Sequence, residues 1–408
     1  MAEFKYSRVD FILTCLGLAF LLVDIALDIF AVVSFYQEKE YVSLGILLFF
    51  LLGSSVLIQA FSWLFYSYEN LKRFTKVEKS LSPCQLRLLH VFQLGIYIRH
   101  AGVVEMSVYS FFTKVCDPEG FAVFLSHDLS MLRLIETFSE SSPQLVLMLT
   151  IILQRGQLNP ETVLKAIGSA FAVALSVTMY HRSLRSFLPD KQNQGTKSSM
   201  MYFMWNLLLI SSRLVALALF ASVLPCFIFT HFLCSWLVLF FFAWRCKTDF
   251  MESTAGEWLF KGTVGLIWYF TWFNVVEGGT RIRTTLYHSY KLLDIFLLCS
   301  LWCWKTSTET SILCAICVVA VYILGLVLKV IYYKFYHPNL TKKALTGVTT
   351  DKSQTENGDE VDSSAIRRGV MSRTFIEEGP LEDTGVAEPP SAVHCNKRMR
   401  KLAANFYT

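Results

Sequence analysis

Long apolar stretches separated by short polar punctuation fill most of the chain before about position 337. A helix needs about 20 mostly apolar residues to cross the hydrocarbon of a bilayer. The pattern predicts spans over roughly Val9–Tyr36, Tyr41–Tyr68, Glu161–Tyr180, Met200–Leu224, Cys226–Trp244, Thr263–Val276 and Ser311–Tyr336. Three further stretches are apolar but charged. Cys84–Phe112 carries Arg87, His90, Arg99 and Glu105; Arg283–Trp304 carries Lys291 and Asp294. Phe121–Gln154 holds His127, Asp128, Arg133, Glu136 and Glu140, with a break expected at Pro143. Bare lipid tolerates neither charge nor irregular backbone, so such segments insert partway or line a polar cavity. The expected fold is all-α: a polytopic integral membrane protein with about eight transmembrane helices plus re-entrant helical pieces. The first span carries two aspartates and no small-residue cleavage site, so it is not expected to be a signal peptide.

Composition agrees. The 408 residues are 54% hydrophobic and 17% charged, against about a quarter charged in soluble domains. The 34 Phe and 9 Trp suit lipid-facing surfaces and interfacial belts. A net charge of +5 gives no nucleic-acid footprint. The 11 cysteines, Cys15, Cys234 and Cys314 among them, mostly lie in apolar runs, show neither a disulfide framework nor the paired CxxC spacing of a zinc site, and are expected to be small core hydrophobes.

Loop charge sets the expected orientation. Lys72, Arg73, Lys76, Lys79 and Arg87 follow the second span; Arg182, Arg185, Lys191 and Lys197 form another basic loop; Lys334, Lys342 and Lys343 follow the last span. The Gln37–Glu40 loop is short and acidic on balance. Both termini are therefore expected in the cytosol, with the sequon Asn339-Leu340-Thr341 unglycosylated. Two parts follow: a membrane domain over 1–337 and a polar cytosolic tail over 338–408, too poor in apolar residues to fold alone and expected to be disordered. Near its end, Met399, Leu402 and Phe406 share one helical face beside Arg398, a short amphipathic helix candidate.

Asp24 and Asp28 stand one turn apart on one face of the first span, and Arg213 lies mid-span with Asn206 two turns earlier. Each charge costs roughly 2.5–3.5 kcal/mol at a bilayer centre. One reading pairs Asp24 or Asp28 with Arg133, Arg213 or Lys291 as structural glue. Another makes a polar track between helices that water or lipid headgroups enter; a proton relay is a third. His127-Asp128 supplies too few ligands for a metal, and no metal or cofactor is expected. No P-loop, GxSxG elbow, HExxH or dinucleotide fingerprint supports an enzyme.

In the tail, Asp359-Glu360-Val361-Asp362 precedes Ser363-Ser364. An acidic tetrapeptide ending in Asp, before small residues in an extended segment, fits an executioner caspase, whose primary pocket must grip a carboxylate.

The run His127-Asp128-Leu129-Ser130-Met131-Leu132-Arg133-Leu134-Ile135-Glu136-Thr137-Phe138 with Pro143-Gln144 resembles the signature of the XK-related membrane proteins. So do Tyr202-Phe203-Met204-Trp205-Asn206-Leu207-Leu208-Leu209, Trp272-Phe273-Asn274-Val275, and Tyr332-Tyr333 with His337-Pro338. The resemblance covers nearly the whole chain before the tail. It implies two pseudo-symmetric halves with re-entrant hairpins. It also implies a passive phospholipid scramblase of the plasma membrane, switched on by caspase cleavage and exposing phosphatidylserine in apoptosis. By resemblance, Asp24, Asp28, Arg213 and Asp294 lie in the membrane interior, and Asp128, Arg133, Glu136 and Glu140 fall in or beside the signature. The same resemblance implies a basigin/neuroplastin-type single-span partner and an inhibitory terminal segment at Arg398, Met399, Leu402 and Phe406. The other classes left open are a solute or ion transporter or channel, and an escort subunit.

Overall fold

The computed structural model describes residues 8–68, 73, 75–113, 121–156, 160–187, 194–246, 248, 250–275 and 280–338. The sequon residue Asn339, the tetrapeptide Asp359–Asp362 with Ser363, and the terminal residues Arg398, Met399, Leu402 and Phe406 lie outside the described residues. Every regular element among those described is helical: α1 (Arg8–Gln37), α2 (Tyr41–Tyr68), α3 (Lys76–Lys79), α4 (Pro83–Val91), α5 (Gly95–Thr113), α6 (Phe121–Glu136), α7 (Ser142–Arg155), α8 (Pro160–Phe187), α9 (Thr196–Val223), α10 (Pro225–Arg245), α11 (Thr254–Phe270), α12 (Thr280–Thr306) and α13 (Glu309–Ile331). π turns occupy Thr137–Ser141 and Tyr332–Tyr336. By length and composition α1, α2, α8, α9, α10 and α13 can cross a bilayer. α12 is 27 residues long, but Arg281, Arg283, Lys291, Asp294 and Lys305 make it polar.

Local chemistry sets the boundaries. α3 and α4 each begin with a capping box, Thr75 with Glu78 and Ser82 with Gln85, satisfying backbone donors that a helix start leaves open. α7 ends at Gly156, whose φ of 66° is the left-handed conformation glycine adopts without strain. α11 begins earlier than hydropathy suggests. Ser253 caps it, and the Glu257 carboxylate accepts the amides of Phe250 and Met251 at 3.0 and 2.8 Å, tying the polar approach segment to its first turn. α11 then stops at Phe270, before the expected Val276.

Two expectations are corrected. Pro143 does not break its helix. The chain widens into the π turn just before it, where the Ser142 amide donates to the Thr137 carbonyl, so the ring enters at the first turn of α7 at little cost. The cysteines are not core residues as a group. Among those described, Cys299 is buried, whereas Cys15, Cys84, Cys226, Cys234 and Cys317 are exposed. In lipid an apolar side chain needs no protein cover, so an apolar run does not mark the core.

α9 is the central helix, buried along Leu209, Ile210, Arg213, Leu214, Ala216, Leu217 and Ala218. Lipid tails are as apolar as leucine, so close fit and interhelical hydrogen bonds hold such helices together. Gly325 of α13 lies so close to α9 that an added Cβ would fall 2.8 Å from Leu209 Cδ2. Ser212 Oγ donates to the Val318 carbonyl at 2.8 Å, locking the same pair. α1 is the contrast. Leu21 is its one fully buried residue among those described, while Ile12, Leu22, Val23, Ile29 and Phe30 are all more than half exposed.

Candidate functional site

Because α1 stands off the bundle, a cavity of about 660 Å³ runs along it, walled by α5, α6, α7 and α8. Asp24 and Asp28 face into it from α1, Arg133 and Glu136 from α6, and Gln144 from α7. The Arg133 guanidinium donates through Nη1 to Glu136 Oε2 at 2.9 Å and through Nη2 to the Gly17 carbonyl of α1 at 3.2 Å. Behind them the buried Glu140, carried on the π turn, faces Asp28 and Ser54. One guanidinium thus shares the groove with three carboxyls, Asp24, Asp28 and Glu136, and the remaining walls are largely apolar side chains such as Leu27, Leu145 and Met148.

An ion pair closes each end. At one, Arg182 of α8 meets Asp10 of α1 at 3.1 Å and also donates to the Gln194 carbonyl at 2.8 Å. At the other, Arg155 from the end of α7 pairs with Glu38 at 2.5 Å and Glu40 at 3.6 Å, in the turn between α1 and α2. The hydrogen bond from Arg155 holds the Glu38 carboxyl below its ordinary range, and the same bond raises the guanidinium. Nearby, Lys165 Nζ lies 4.3 Å from the Phe30 ring centroid.

The remaining expected site residues lie apart from this groove. Asp128 points to the other side of α6, where Arg99 Nη1 is 3.5 Å away. Arg99 also donates to Ser62 Oγ and the Ser62 carbonyl at 2.8 and 3.0 Å, and Ser62 meets His90 at 2.9 Å, so this network fastens the α4–α5 hairpin to α2 and α6. Arg213 and Asp294 form a third centre at 2.6 Å, close in charge though neither atom has hydrogen-bond alignment. Asp294 Oδ1 is 3.0 Å from His231 Nε2, and His231 Nδ1 is 3.0 Å from Tyr269 Oη. The imidazole thus bridges the Asp294 carboxylate and the Tyr269 phenol. Among the described residues Lys291 Nζ has no hydrogen-bond partner, but it lies 5.0–5.7 Å from the ring centroids of Tyr269, Tyr287 and Tyr290, an aromatic cage.

Two of the proposed pairings are therefore corrected: Arg213 and Lys291 do not serve Asp24 or Asp28, because Arg213 meets Asp294 and Lys291 sits among the tyrosines. Arg133 does stand beside Asp24. Gln144 stood in the quoted signature, but the end clasps Asp10–Arg182 and Glu38–Arg155 carried no pairing signal in the sequence. Their members are far apart in the chain, and surface-type charges near helix ends are ordinary.

A sequence model of the family described as XK-related protein matches residues 12–338. The XK-related protein 8 of Tetraodon nigroviridis is 42% identical over 348 residues, 83% of this chain and 85% of that protein. That of Gasterosteus aculeatus is 37% identical over 417 aligned positions, 99% and 98% of the two chains. That of Pan troglodytes is 36% identical over 339, 81% and 84%.

Proposed function

The chain belongs to the XK-related family, and from that premise we propose that it is a passive phospholipid scramblase of the plasma membrane, activated by an executioner caspase cutting after Asp362. The observation that carries the proposal is the polar groove beside the loosely packed α1. A lipid crosses slowly because its headgroup must leave water for hydrocarbon. A groove with Asp24, Asp28, Arg133 and Glu136 along its length offers the headgroup hydrated polar contacts, while exposed apolar neighbours such as Leu164 and Ile167 of α8 leave room for acyl tails in lipid. Movement is downhill and requires no nucleotide. The groove carboxyls Asp24, Asp28 and Glu136 suit the cationic choline, ethanolamine or serine ammonium, and Arg133 suits the phosphate.

In this scheme both termini are cytosolic, and the segment around Arg398, Met399, Leu402 and Phe406 holds the closed state from the cytosolic side. A tethered peptide has an effective concentration near mM, so severing the tether after Asp362 releases even a modest binder. A basigin/neuroplastin-type single-span protein is the proposed partner. The test is Asp362→Ala, expressed as the sole copy in cells. It should reach the surface at normal level and stay silent after caspase activation, because the scissile carboxylate is gone. Normal timing of phosphatidylserine exposure would overturn the switch.

A further inference from the structure

The point where the chain leaves its last helix is wired to the groove. Tyr332, the first residue of the π turn after α13, is fully buried. Its Oη accepts from Gln194 Nε2 at 3.3 Å. The Gln194 side chain is itself buried, and its other contacts are Ser198 Oγ at 3.3 Å and His181 Nδ1 at 3.1 Å. The Gln194 carbonyl accepts from Arg182 Nη1 at 2.8 Å, Arg182 also donates to Ser199 Oγ at 2.5 Å, and its other nitrogen reaches Asp10 of α1 at 3.1 Å. Arg182 and Asp10 line one end of the groove. Aromatic contacts brace the relay: His181 stacks on Tyr202 at 4.0 Å, and Tyr202 meets Tyr332 edge-on at 5.5 Å.

We propose that the contacts Tyr332–Gln194–Arg182–Asp10 form a latch that transmits the state of the chain leaving α13 to α1, the movable wall of the groove. The inference rests on the reading of this groove as the lipid path. The physical case has two parts. Leu21 is the one buried residue of α1 among those described, so α1 has little of its surface locked in the core and its polar clasps weigh heavily in its position, as expected of an element that opens locally. The Gln194 carbonyl, with the Ser199 hydroxyl, aims Arg182 at Asp10, and the Gln194 side chain holds its place through Tyr332, Ser198 and His181. A shift of the turn at Tyr332 therefore loosens Gln194, swings Arg182, and frees the Asp10 end of α1. Tension or docking in the downstream chain acts on that turn directly. Spatial continuity alone would not establish coupling; the exchange rate of α1 is the quantity that reads it.

The test uses purified full-length protein, uncut and cut after Asp362. Hydrogen exchange of the α1 amides reads the latch without reference to lipid, and movement of a labelled phospholipid in reconstituted vesicles reads the groove. Gln194→Leu removes the side-chain clamp at similar size, and Tyr332→Phe removes one hydroxyl and nothing else. In the uncut state both should speed exchange in α1, by at least about fivefold for Gln194→Leu, the low end of coupling between linked sites. Gln194→Leu should also move lipid without cleavage. Arg182→Glu should act likewise, and the exchange Asp10→Arg with Arg182→Asp should restore restraint. Uncut variants with wild-type exchange in α1 overturn the latch, whatever the lipid assay gives. Faster exchange with no lipid movement in any cut protein upholds the latch and instead overturns the lipid-path reading.

Discussion

Arg133 of α6 grips the backbone carbonyl of Gly17, on α1, at 3.2 Å across the groove. That contact, with the two end clasps, ties α1 to the bundle, and an added Cβ at Gly17 would approach Met179 Cε of α8 to 3.2 Å. The groove is thus narrow at this level and polar below and above it, the form expected of a path that opens by small movements of one helix.

Asp24→Asn and Asp28→Asn delete charge while keeping size and hydrogen bonding. Among the described residues neither makes a close ion pair, Arg133 being spent on Glu136 and the Gly17 carbonyl, so protein amount at the surface should be near normal. Lipid movement after cleavage should slow by about tenfold in at least one variant, about 1.4 kcal/mol in the barrier. Surface level, cleavage and lipid exposure measured on the same cells decide it. Full rates in both variants would remove these residues from the path, and losses that follow surface level would assign them to folding.

Asp294→Asn should behave in the opposite way. It leaves Arg213, buried to within 1% of full cover, without its counter-charge. The cost should be about 3–5 kcal/mol, and much of it should be regained when Arg213→Met is added. Thermal unfolding in detergent measures both. A single variant that melts with the wild type would contradict a structural role for this pair.

These two cases show what the sequence could and could not tell. Six of the seven expected spans (all but Thr263–Val276), the facing pair Asp24 and Asp28, and the charged signature helix were legible, because hydropathy and helical period fix them locally. Which buried charge meets which was not. Arg213 and Asp294 are 81 positions apart in the numbering, and only the packing of α12 against α9 brings them to 2.6 Å. Asp128 illustrates the same limit: it shares α6 with Arg133, yet faces Arg99 rather than the groove. The Pro143 expectation failed because a π turn absorbs the missing amide, a device that leaves no mark in hydropathy.

The Glu38–Arg155 clasp should respond to acid in a defined direction. Its carboxyl is held below the ordinary range, so its stabilisation is present at neutral and mildly acidic pH and is lost as pH falls through the depressed value. Both groups are largely exposed, so the effect should be under about 1 kcal/mol and sensitive to salt. Hydrogen exchange in the 37–40 turn should be unchanged from neutral to about pH 5.5 after correction for intrinsic rates. It should rise below about pH 4, and rise at neutral pH in Arg155→Ala. A turn indifferent to both would mean the clasp holds nothing.

Orientation has its own check. A glycosylation acceptor placed in a lengthened Gln37–Glu40 loop should be modified, and Asn339 should not. Glycan on Asn339 would invert the proposed topology.

The central claim is lipid movement switched by one cut. The most direct measurement uses the purified full-length chain in vesicles carrying a labelled phospholipid in both leaflets, with a membrane-impermeant quencher added outside. Uncut protein should leave the inner-leaflet label protected. Protein cut after Asp362 should expose nearly all of it, without nucleotide. Protection that persists after complete cleavage, in vesicles shown to contain folded protein, would contradict the account.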